Sequence, residues 1–372
     1  MLLALHSSAQ TPSYLHYDIC DGLPSNLVYC AYQDKKGIMW FGTNNGLASF
    51  DGIRFHVYGT KDGLLDPEIL GLWEDNKNRL WIANFWRPPS ILFGGEIYTE
   101  ATDTFLQKLP QNCTAFTFFE ESNNQIRFGG LRKNSLIVNE NHIRYDTFET
   151  VIARFAKINN SLYACGSDRL IKVEEDGSKR TLFTIIPSPH SYYGSSVSGN
   201  RVLYSVSERI ILLEINNNKL DTICDIKSDI CGQVFTDSHG RFWICSQKFG
   251  AICFDNNLKS IDNPKVYLPG KNITAMTEDL QGNLWFCTAG DGVYILPINF
   301  AITFNQKSQL ESNNISALFL SSNDDVIVGD DVGFIYIINK NLNILKINYS
   351  LSRGYNLCRQ IAEPSKNRVV VL

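Results

Sequence analysis

Two short segments contain residues that suit recognition of a polar ring. The stretch "NFWRPPS" holds Trp86 and Arg87 beside two prolines, and "PSPHSYYG" holds His190, Tyr192 and Tyr193. An aromatic face stacks on the apolar side of a ring, while a guanidinium forms paired hydrogen bonds with an acidic substituent. Both segments interrupt an otherwise regular pattern. We interpret them as candidate ligand-binding loops, with plain loop packing or contact with a partner domain as alternatives.

Two weaker candidates belong to the same kind of loop. These are Lys248 in "SQKFG" and Asp291 in "AGDG". Catalysis finds little support, because the six histidines are scattered and no GxSxG, HExxH or P-loop motif occurs. We therefore expect no catalytic residue, no metal site and no cofactor in this chain.

Composition argues against two classes of partner. The 372 residues have a net charge of -4 and a pI near 5.9, and no run of Lys or Arg forms the basic patch of a nucleic-acid-binding protein. No apolar stretch approaches the roughly 18 residues of a membrane-spanning helix. Hydrophobic residues make up 44% and aromatic residues 12%, so a sizeable core can form and β structure is favoured.

The first nine residues resemble the end of a secretory signal peptide. A short apolar run from Leu2 to Leu5 precedes small residues at Ser7 and Ala9, which suits cleavage before Gln10. The basic segment that normally precedes such a run is missing, and a disordered tail is the alternative. We interpret residues 1–9 as a signal-peptide remnant and expect the mature domain to work outside the cytoplasm.

A phrase with a period near 41 residues recurs along the chain. "YLHYDICDGL" returns as "FHVYGTKDGL", and "QDKKGIMWFGT" returns as "EDNKNRLWIAN", "TDSHGRFWICS" and "EDLQGNLWFCT". Four weaker copies complete a series of eight, anchored at Trp40, Trp81, Arg127, Tyr163, Tyr204, Trp243, Trp285 and Ile327. Self-similarity at a fixed period of this length is the signature of a repeat architecture.

Each copy has the pattern of four short antiparallel strands. In the first copy, aromatic-rich segments such as "NLVYCAYQD" and "IMWFGT" alternate with the turn signals "KKG", "NNG" and "DG". Helical periodicity is nearly absent, which excludes a helical solenoid. The sequence therefore predicts an all-β protein, a β-propeller of four-stranded antiparallel blades.

The recurring Trp and Asp residues are predicted to be structural. An Asp stands six residues before each strong Trp anchor, in the pairs Asp34/Trp40, Asp75/Trp81, Asp237/Trp243 and Asp279/Trp285. A Trp found at one position per blade suits packing between adjacent blades better than a sugar-stacking platform. The Asp spacing differs from that of the sialidase Asp box, and turn capping by the carboxylate is the expected role.

The ten cysteines predict buried thiols rather than disulfides. No CxxC pair and no zinc-like spacing with His occurs. Cys165, Cys245 and Cys287 fall where the first copy has Gly42, in the second strand of a blade. Small apolar side chains at one repeated position are expected to fill the core between blades.

The stretch "DGLPSN…QDKKGIMWFGTNNGLASFDGIRF" resembles the two-component regulator propeller repeat, found in the periplasmic sensor part of Bacteroidetes hybrid histidine kinases. Residues 21–54 match it nearly throughout, 62–82 and 275–296 match well, and 233–255 match in part. Residues 100–230 fit only by position. The resemblance implies a periplasmic sensor region of an inner-membrane protein. In such proteins a β-sandwich, a membrane helix and kinase modules follow, and none of these lies within the 372 residues.

The family layout implies seven-bladed propellers. We expect one over residues 10–305 and a truncated second propeller over 306–372, with a single eight-bladed ring over 10–372 as the alternative. The segment from Tyr14 to Tyr17 matches the fourth strand of a blade and is the expected closing strand, although 300–305 competes for that place. Because the sequence stops inside a ninth copy, we expect it to be a fragment.

Three functions are compatible with these patterns. The favoured hypothesis, implied by the resemblance, is a non-enzymatic sensor that binds an oligosaccharide or other small ligand from glycan breakdown. It would act as a homodimer through its sensor domains and meet the membrane only through a downstream segment. A lyase or hydrolase of the streptogramin-lyase type is the second hypothesis, since its blades have a similar rhythm. A protein-interaction scaffold is the third.

Overall fold

The computed structural model describes residues 12–85, 87–110, 117–121, 125–129, 134–139, 142–185, 193–206, 209–216, 219–228, 232–255, 264–298, 310–339, 344–349, 358–365 and 368–371. They fall into a large unit, Tyr14–Ile298, and a small unit, Met1–Ser13 with Asn299–Leu372. Strands dominate both. The described helices are three short 3₁₀ turns, at Ile19–Asp21, Thr60–Asp62 and Leu106–Lys108.

The large unit contains seven four-stranded antiparallel sheets, numbered here in chain order. Its first strand is β1 (Leu15–Tyr17). Sheet 1 comprises β2 (Val28–Gln33), β3 (Met39–Thr43), β4 (Gly46–Phe50) and β5 (Phe55–Tyr58). Sheet 2 comprises β6 (Ile69–Glu74), β7 (Leu80–Asn84), β8 (Ser90–Phe93) and β9 (Glu96–Tyr98). Sheet 3 comprises β10 (Thr117–Glu120), β11 (Ile126–Gly129), β12 (Asn134–Val138) and β13 (Ile143–Thr147).

Sheets 4 to 7 continue the same meander. Sheet 4 comprises β14 (Ile152–Ile158), β15 (Ser161–Gly166), β16 (Arg169–Val173) and β17 (Lys179–Thr184), and sheet 5 comprises β18 (Tyr193–Ser198), β19 (Arg201–Val206), β20 (Arg209–Asn216) and β21 (Lys219–Lys227). Sheet 6 comprises β22 (Gly232–Thr236), β23 (Phe242–Ser246), β24 (Gly250–Phe254) and β25 (Lys265–Tyr267). Sheet 7 comprises β26 (Ile273–Glu278), β27 (Leu284–Thr288) and β28 (Val293–Leu296), and β1 completes it.

Sheet 7 takes its fourth strand from the beginning of the unit. β1 pairs antiparallel with β28, in a register that sets Leu15 opposite Ile295 and Tyr17 opposite Val293. This is the pairing expected of the predicted closing strand. The competing segment, 300–305, lies outside the described residues. Joining the two ends of a chain within one sheet leaves a ring of sheets without a loose terminal sheet.

Consecutive sheets pack against each other, and sheet 7 packs against sheet 1. The Thr274 hydroxyl on β26 donates to the Val28 carbonyl oxygen on β2 at 2.5 Å. The Trp285 ring lies 5.6 Å from that of Phe41. The first strands of successive sheets also contact one another around the unit, with Trp73 of β6 stacked on Phe118 of β10. These first strands therefore surround a central axis.

A repeated hydrogen bond links neighbouring sheets. The backbone N–H of the residue after the repeated Asp donates to the side chain that ends the first strand of the next sheet. Lys35 donates to Glu74 Oε2 at 2.7 Å, and Ser238 donates to Glu278 Oε2 at 2.6 Å. Leu280 of sheet 7 donates to Gln33 Oε1 of sheet 1 at 2.5 Å. We call this contact the inter-sheet bridge.

The small unit repeats the same construction. It has a four-stranded sheet of β29 (Ile315–Leu320), β30 (Val326–Asp330), β31 (Phe334–Ile338) and β32 (Ile344–Asn348), and a two-stranded sheet of β33 (Ile361–Ser365) and β34 (Arg368–Val371). A related hydrogen bond from the Ser322 N–H to Glu363 Oε2, 2.7 Å, joins them, with Ser321 in the place of the repeated Asp. The predicted division at 305/306 stays a prediction.

The "DGL" lead of the repeat forms a 3₁₀ turn. Asp21 and Asp62 accept hydrogen bonds from the N–H groups three residues earlier, at 2.9 and 2.8 Å. Gly22 and Gly63 then adopt φ of 113° and 105°, which a side chain would disfavour. The Leu that follows is buried in each case. The phrase thus reverses the chain between sheets and inserts an apolar side chain into the core.

The four Asp–Trp pairs share one geometry. One carboxylate oxygen accepts from the backbone N–H groups two and four residues later, and the other accepts from the indole N–H at 2.8–2.9 Å. Each Trp packs toward the next sheet, as Trp81 does on Phe128 at 5.3 Å. The turn and the inter-sheet core are therefore coupled through one carboxylate.

The anchor assigned to Tyr204 is wrong by one residue. Tyr204 clusters with residues of sheet 4, and its hydroxyl donates to the Arg169 carbonyl oxygen at 3.3 Å. Leu203 instead packs with Val234 and Phe242 of sheet 6, which is the direction that each Trp takes. Side chains alternate between the two faces of a strand, so a slip of one residue exchanges the faces. The sequence offered two apolar residues in succession and no Trp to choose between them.

Candidate functional site

Two classes of loop meet at one end of the sheets, which we call the loop face. One class joins second to third strands, and the other leads from a fourth strand to the next sheet. The Asn45 side chain of the first class donates to the Pro24 carbonyl oxygen of the second at 3.1 Å. Ion pairs join the same two classes in sheets 2 and 7. The described candidates on these loops, namely Arg87, Lys248 and Asp291, therefore lie at the same end of the sheets.

The "NFWRPPS" segment holds two candidates, Trp86 and Arg87. Trp86 lies outside the described residues, and Arg87 is described. Arg87 Nη1 donates to Glu100 Oε1 at 3.0 Å, with side-chain exposures of 47% and 9% respectively. The second oxygen of Glu100 is buried and accepts no hydrogen bond from a described residue. The carboxylate holds the guanidinium at the surface and leaves much of it open to solvent.

The "PSPHSYYG" segment is described only at its end. His190 and Tyr192, together with the Tyr193 side chain, lie outside the described part of the chain. The Tyr193 backbone begins β18, where it pairs with Val206. The candidate role of these three residues stays a prediction.

Lys248 and Asp291 have separate local partners. The Lys248 ammonium lies 5.1 Å from the centre of the Phe249 ring. Asp291 Oδ2 lies 3.1 Å from Lys271 Nζ, and this hydrogen bond raises the pKa of Lys271. The Asp291 N–H donates to the Thr288 hydroxyl at 2.9 Å, which fixes the turn.

A polar cluster around Asp291 was missed by the sequence interpretation. The His16 ring stacks on Tyr294 with centroids 4.3 Å apart, and His16 Nε2 lies 2.6 Å from the Asp291 carbonyl oxygen. Lys271 Nζ lies 5.6 Å from the same Tyr294 ring. His16 faces Tyr294 because β1 pairs with β28. The predicted closing strand was therefore a signal that could have identified this pair.

The described candidates do not converge on one point. Arg87 belongs to sheet 2, Lys248 to sheet 6 and Asp291 to sheet 7, and each contacts residues of its own neighbourhood. Within the described ranges, no group of three or more His, Cys, Asp or Glu side chains is placed to hold a metal ion. None of the helices described is long and apolar enough to cross a membrane.

The cysteines are buried free thiols where the repeat predicted them. Cys165, Cys245 and Cys287 are buried, and among the described cysteines none forms a disulfide. Burial raises the pKa of Cys165 to about 11 and that of Cys245 to about 12. These thiols stay protonated at neutral pH, so they act as core residues.

Comparison with known proteins identifies the repeat. The family model for the two component regulator propeller matches residues 22–45. No curated protein matches the sequence. The fold is similar to the extracellular domain of a hybrid two component system from B. thetaiotaomicron, with a TM-score of 0.62 and 15% identity over 98% of this chain. This chain spans about half (51%) of that domain.

Enzymes share the same fold. Virginiamycin B lyase from Staphylococcus aureus superposes with a TM-score of 0.58 and 12% identity, over 77% of this chain and 98% of the lyase. Identities this low establish the fold only. The four-stranded sheets and the propeller neighbours show that the chain is a β-propeller, and residues 22–45 carry the two component regulator propeller repeat.

Proposed function

We propose that the protein is the ligand-sensing propeller of a hybrid two-component sensor histidine kinase. The observation that carries this proposal is the regulator propeller repeat at residues 22–45, set in a fold similar to the extracellular domain of such a system. The loop face is the proposed ligand surface. The sensor region would lie in the periplasm. The kinase would belong to other parts of the proposed longer protein.

The proposed ligand is a breakdown product of a glycan. Arg87 supports this choice, because its guanidinium is held by Glu100 and still exposes hydrogen-bond donors to solvent. A planar guanidinium beside an aromatic residue suits a saccharide ring with an acidic substituent. The other proposed contacts are Trp86, His190, Tyr192, Tyr193, Lys248 and Asp291.

Signalling would follow from differential binding. A ligand that prefers one arrangement of two sensor chains shifts a pre-existing equilibrium by the difference of its affinities for the two arrangements. A homodimer through the sensor regions is the proposed assembly. The proposal requires that the ligand be bound and released unchanged.

Calorimetric titration of the purified chain with a panel of glycan oligosaccharides tests this function. We expect binding of at least one oligosaccharide, and chromatography of the same mixtures after prolonged incubation should recover it uncleaved. Cleavage at a measurable rate would replace the sensor proposal with the enzyme class. Absence of saccharide binding would leave the scaffold hypothesis.

Variants at the Arg87 ion pair separate a ligand contact from loop support. Arg87→Ala and Trp86→Ala are expected to weaken oligosaccharide binding at least tenfold. Glu100→Gln removes the charge that holds Arg87 but leaves the guanidinium, so it should weaken binding less. Arg54→Ala, an exposed Arg on a loop at the opposite end of sheet 1, is the matched control and should bind as the wild type does. Equal losses in Arg87→Ala and Glu100→Gln would assign the pair to loop structure.

A propeller lyase is the second candidate. The favouring observation is that the fold spans 98% of a streptogramin-type lyase structure. Incubation with a streptogramin B antibiotic and mass spectrometry of the products tests it directly. The sensor proposal expects the antibiotic to be recovered intact.

A further inference from the structure

One position of the first strands departs from the repeat in two sheets. This position pairs with the second-strand residue that is Gly42 in sheet 1 and Cys165 in sheet 4. Small residues occupy it in five of the seven sheets, namely Cys30, Gly71, Thr117, Gly194 and Ala275. Sheet 4 has Arg154 there, and sheet 6 has Gln233.

The position is normally small because it faces the backbone of the next sheet. Cys30 Sγ lies 3.9 Å from the Ile69 carbonyl oxygen. A Cβ placed on Gly194 would lie 2.4 Å from the Gly232 carbonyl oxygen, closer than any real contact. A long side chain at this position therefore has no room between sheets and must extend toward the axis that the first strands surround.

Arg154 follows this course. Its Nε donates to the Ser195 carbonyl oxygen of sheet 5 at 3.1 Å, while the residue remains exposed. Arg154 comes directly after a register shift in β14, near the end of the strand that adjoins the loop face. Such irregularities re-aim the side chains beside them. A guanidinium that extends from this end of β14 toward the central axis would lie near the loop face, and we use the term central channel for the space around that axis.

Toward the residues that the structure describes, the guanidinium has unused hydrogen-bonding capacity. Neither Nη atom donates to a described residue, and no described carboxylate forms an ion pair with it. Surrounding protein lowers the pKa of Arg154 by desolvation, although an arginine remains charged at neutral pH. The guanidinium is therefore partly surrounded by protein and partly exposed. A positive charge in this setting suits pairing with an oxyanion.

Gln233 adds a second polar group to the same wall. It occupies the same position two sheets further on and is exposed. Gly194 of the intervening sheet lies against it, because a Cβ on Gly194 would lie 2.9 Å from the Gln233 Cα. The Arg154 side chain contacts the Ser195 backbone, and the Gln233 backbone lies against Gly194, so Arg154 and Gln233 stand on the two strands on either side of β18.

We propose that Arg154 and Gln233 form a carboxylate-binding subsite in the central channel, which takes the acidic group of a sugar acid. The guanidinium would bind the carboxylate through paired hydrogen bonds, and the Gln233 amide would bond a ring hydroxyl. The inference rests on the proposed sensor function, since it specifies the ligand class of the loop face. It makes the ligand an acidic rather than a neutral saccharide.

Calorimetric titration of the whole chain with sodium glucuronate, glucose and sodium sulfate at low salt tests the subsite. Glucuronate is expected to bind at least tenfold more tightly than glucose. Arg154→Met should remove that advantage, and Arg154→Lys should keep part of it, because an ammonium is charged but cannot pair with both oxygens. Gln233→Ala should weaken glucuronate more than sulfate. Arg54→Met should change nothing.

Each contrary result has a distinct meaning. Unchanged glucuronate binding by a folded Arg154→Met variant overturns the subsite and leaves the sensor proposal standing. Sulfate binding as tight as glucuronate binding, and insensitive to Gln233→Ala, overturns the sugar-acid assignment. Failure of every saccharide, neutral or acidic, overturns the proposed function itself. Thermal melting of each variant, compared with the wild type, establishes that the comparison is between folded proteins.

Discussion

Sheets 1, 2, 6 and 7 differ from sheets 3, 4 and 5 in the residue that occupies the anchor position of the second strand. In the first group, a Trp packs toward the next sheet and its indole N–H is held by the turn carboxylate. In sheet 3, Arg127 takes that place, forms ion pairs with Glu121 and Asp146, and lies 5.6 Å from the Phe155 ring of sheet 4. Sheets 4 and 5 use Tyr163 and Leu203.

The fold requires a side chain at this position that packs on the next sheet, but it does not require a Trp. A large side chain directed at the next sheet is present in every case, while the partner that fixes it varies between a carboxylate bond, an ion pair and plain apolar packing. Sequence similarity therefore fades across 100–230 without loss of the sheets. The same divergent region supplies Arg154, at a position where a repeat-like residue would be small.

The largest effect is expected at Trp81, and it sharpens the contrast between the groups. Trp81→Ala should lower the free energy of unfolding by about 3–5 kcal/mol, because a fully buried ring is removed. Leu203→Ala, at the equivalent place in sheet 5, should cost nearer 2 kcal/mol because less volume is lost. Urea unfolding followed by tryptophan fluorescence and circular dichroism measures both. Equal losses would mean that the two groups of sheets are fixed equally by this residue.

The next effect concerns the turn carboxylate. Asp237→Ala should cost about 2–3 kcal/mol, because it leaves the N–H groups of His239 and Arg241 and the Trp243 indole without their acceptor. Asp176, which accepts from the Ser178 N–H on an exposed turn of sheet 4, is the matched control. Asp176→Ala should cost under about 1 kcal/mol in the same urea experiment. A comparable loss at both sites would contradict the coupling of turn and core.

Close approach of sheets 5 and 6 gives a third prediction. Gly194→Ala should destabilise the protein by about 1–3 kcal/mol, because the new methyl group meets the Gly232 backbone. Gly59→Ala is the control, since its added carbon has a nearest neighbour at 3.9 Å and it needs no left-handed backbone. Thermal melting compares the two. A Gly194→Ala protein as stable as Gly59→Ala would show that the divergent sheets are packed more loosely than the others.

The smallest effect is a test of thiol protection. Iodoacetamide at pH 8, with mass spectrometry of the peptides, should label exposed Cys20 first and leave Cys165 as protected as Cys245. Burial raises the pKa of both buried thiols above the ordinary value. Their protonated form therefore stabilises the folded state fully below about pH 9, and this stabilisation is lost as the pH rises toward 11–12. Earlier labelling of Cys165 than of Cys245 would mark sheet 4 as the more open region.

Much of the fold follows from local patterns. The hairpin turns, the Asp and Trp residues of the repeat and the buried thiols each depend on residues a few positions apart, so the sequence predicts them well. The anchor of sheet 5 was assigned to Tyr204 instead of Leu203, because two adjacent residues that can both be buried leave the strand face undetermined. His16 with Tyr294 and Arg154 with Gln233 depend on pairing between distant strands or on three neighbouring sheets. The closing-strand prediction indicates the first pair, whereas the second becomes visible only once the register of each strand is known.

The inter-sheet bridge has a mechanical consequence. Where sheets 1 and 2, or 6 and 7, meet, the acceptor is a carboxylate, whereas the junction of sheets 7 and 1 uses the neutral amide of Gln33. A neutral acceptor forms the weaker bond. Sheet 7 also holds both the strand by which the chain enters the large unit and the strand by which it leaves. Tension applied along the chain would therefore act on a junction whose inter-sheet bridge is weaker than the carboxylate bridges of sheets 1 and 2 and of sheets 6 and 7.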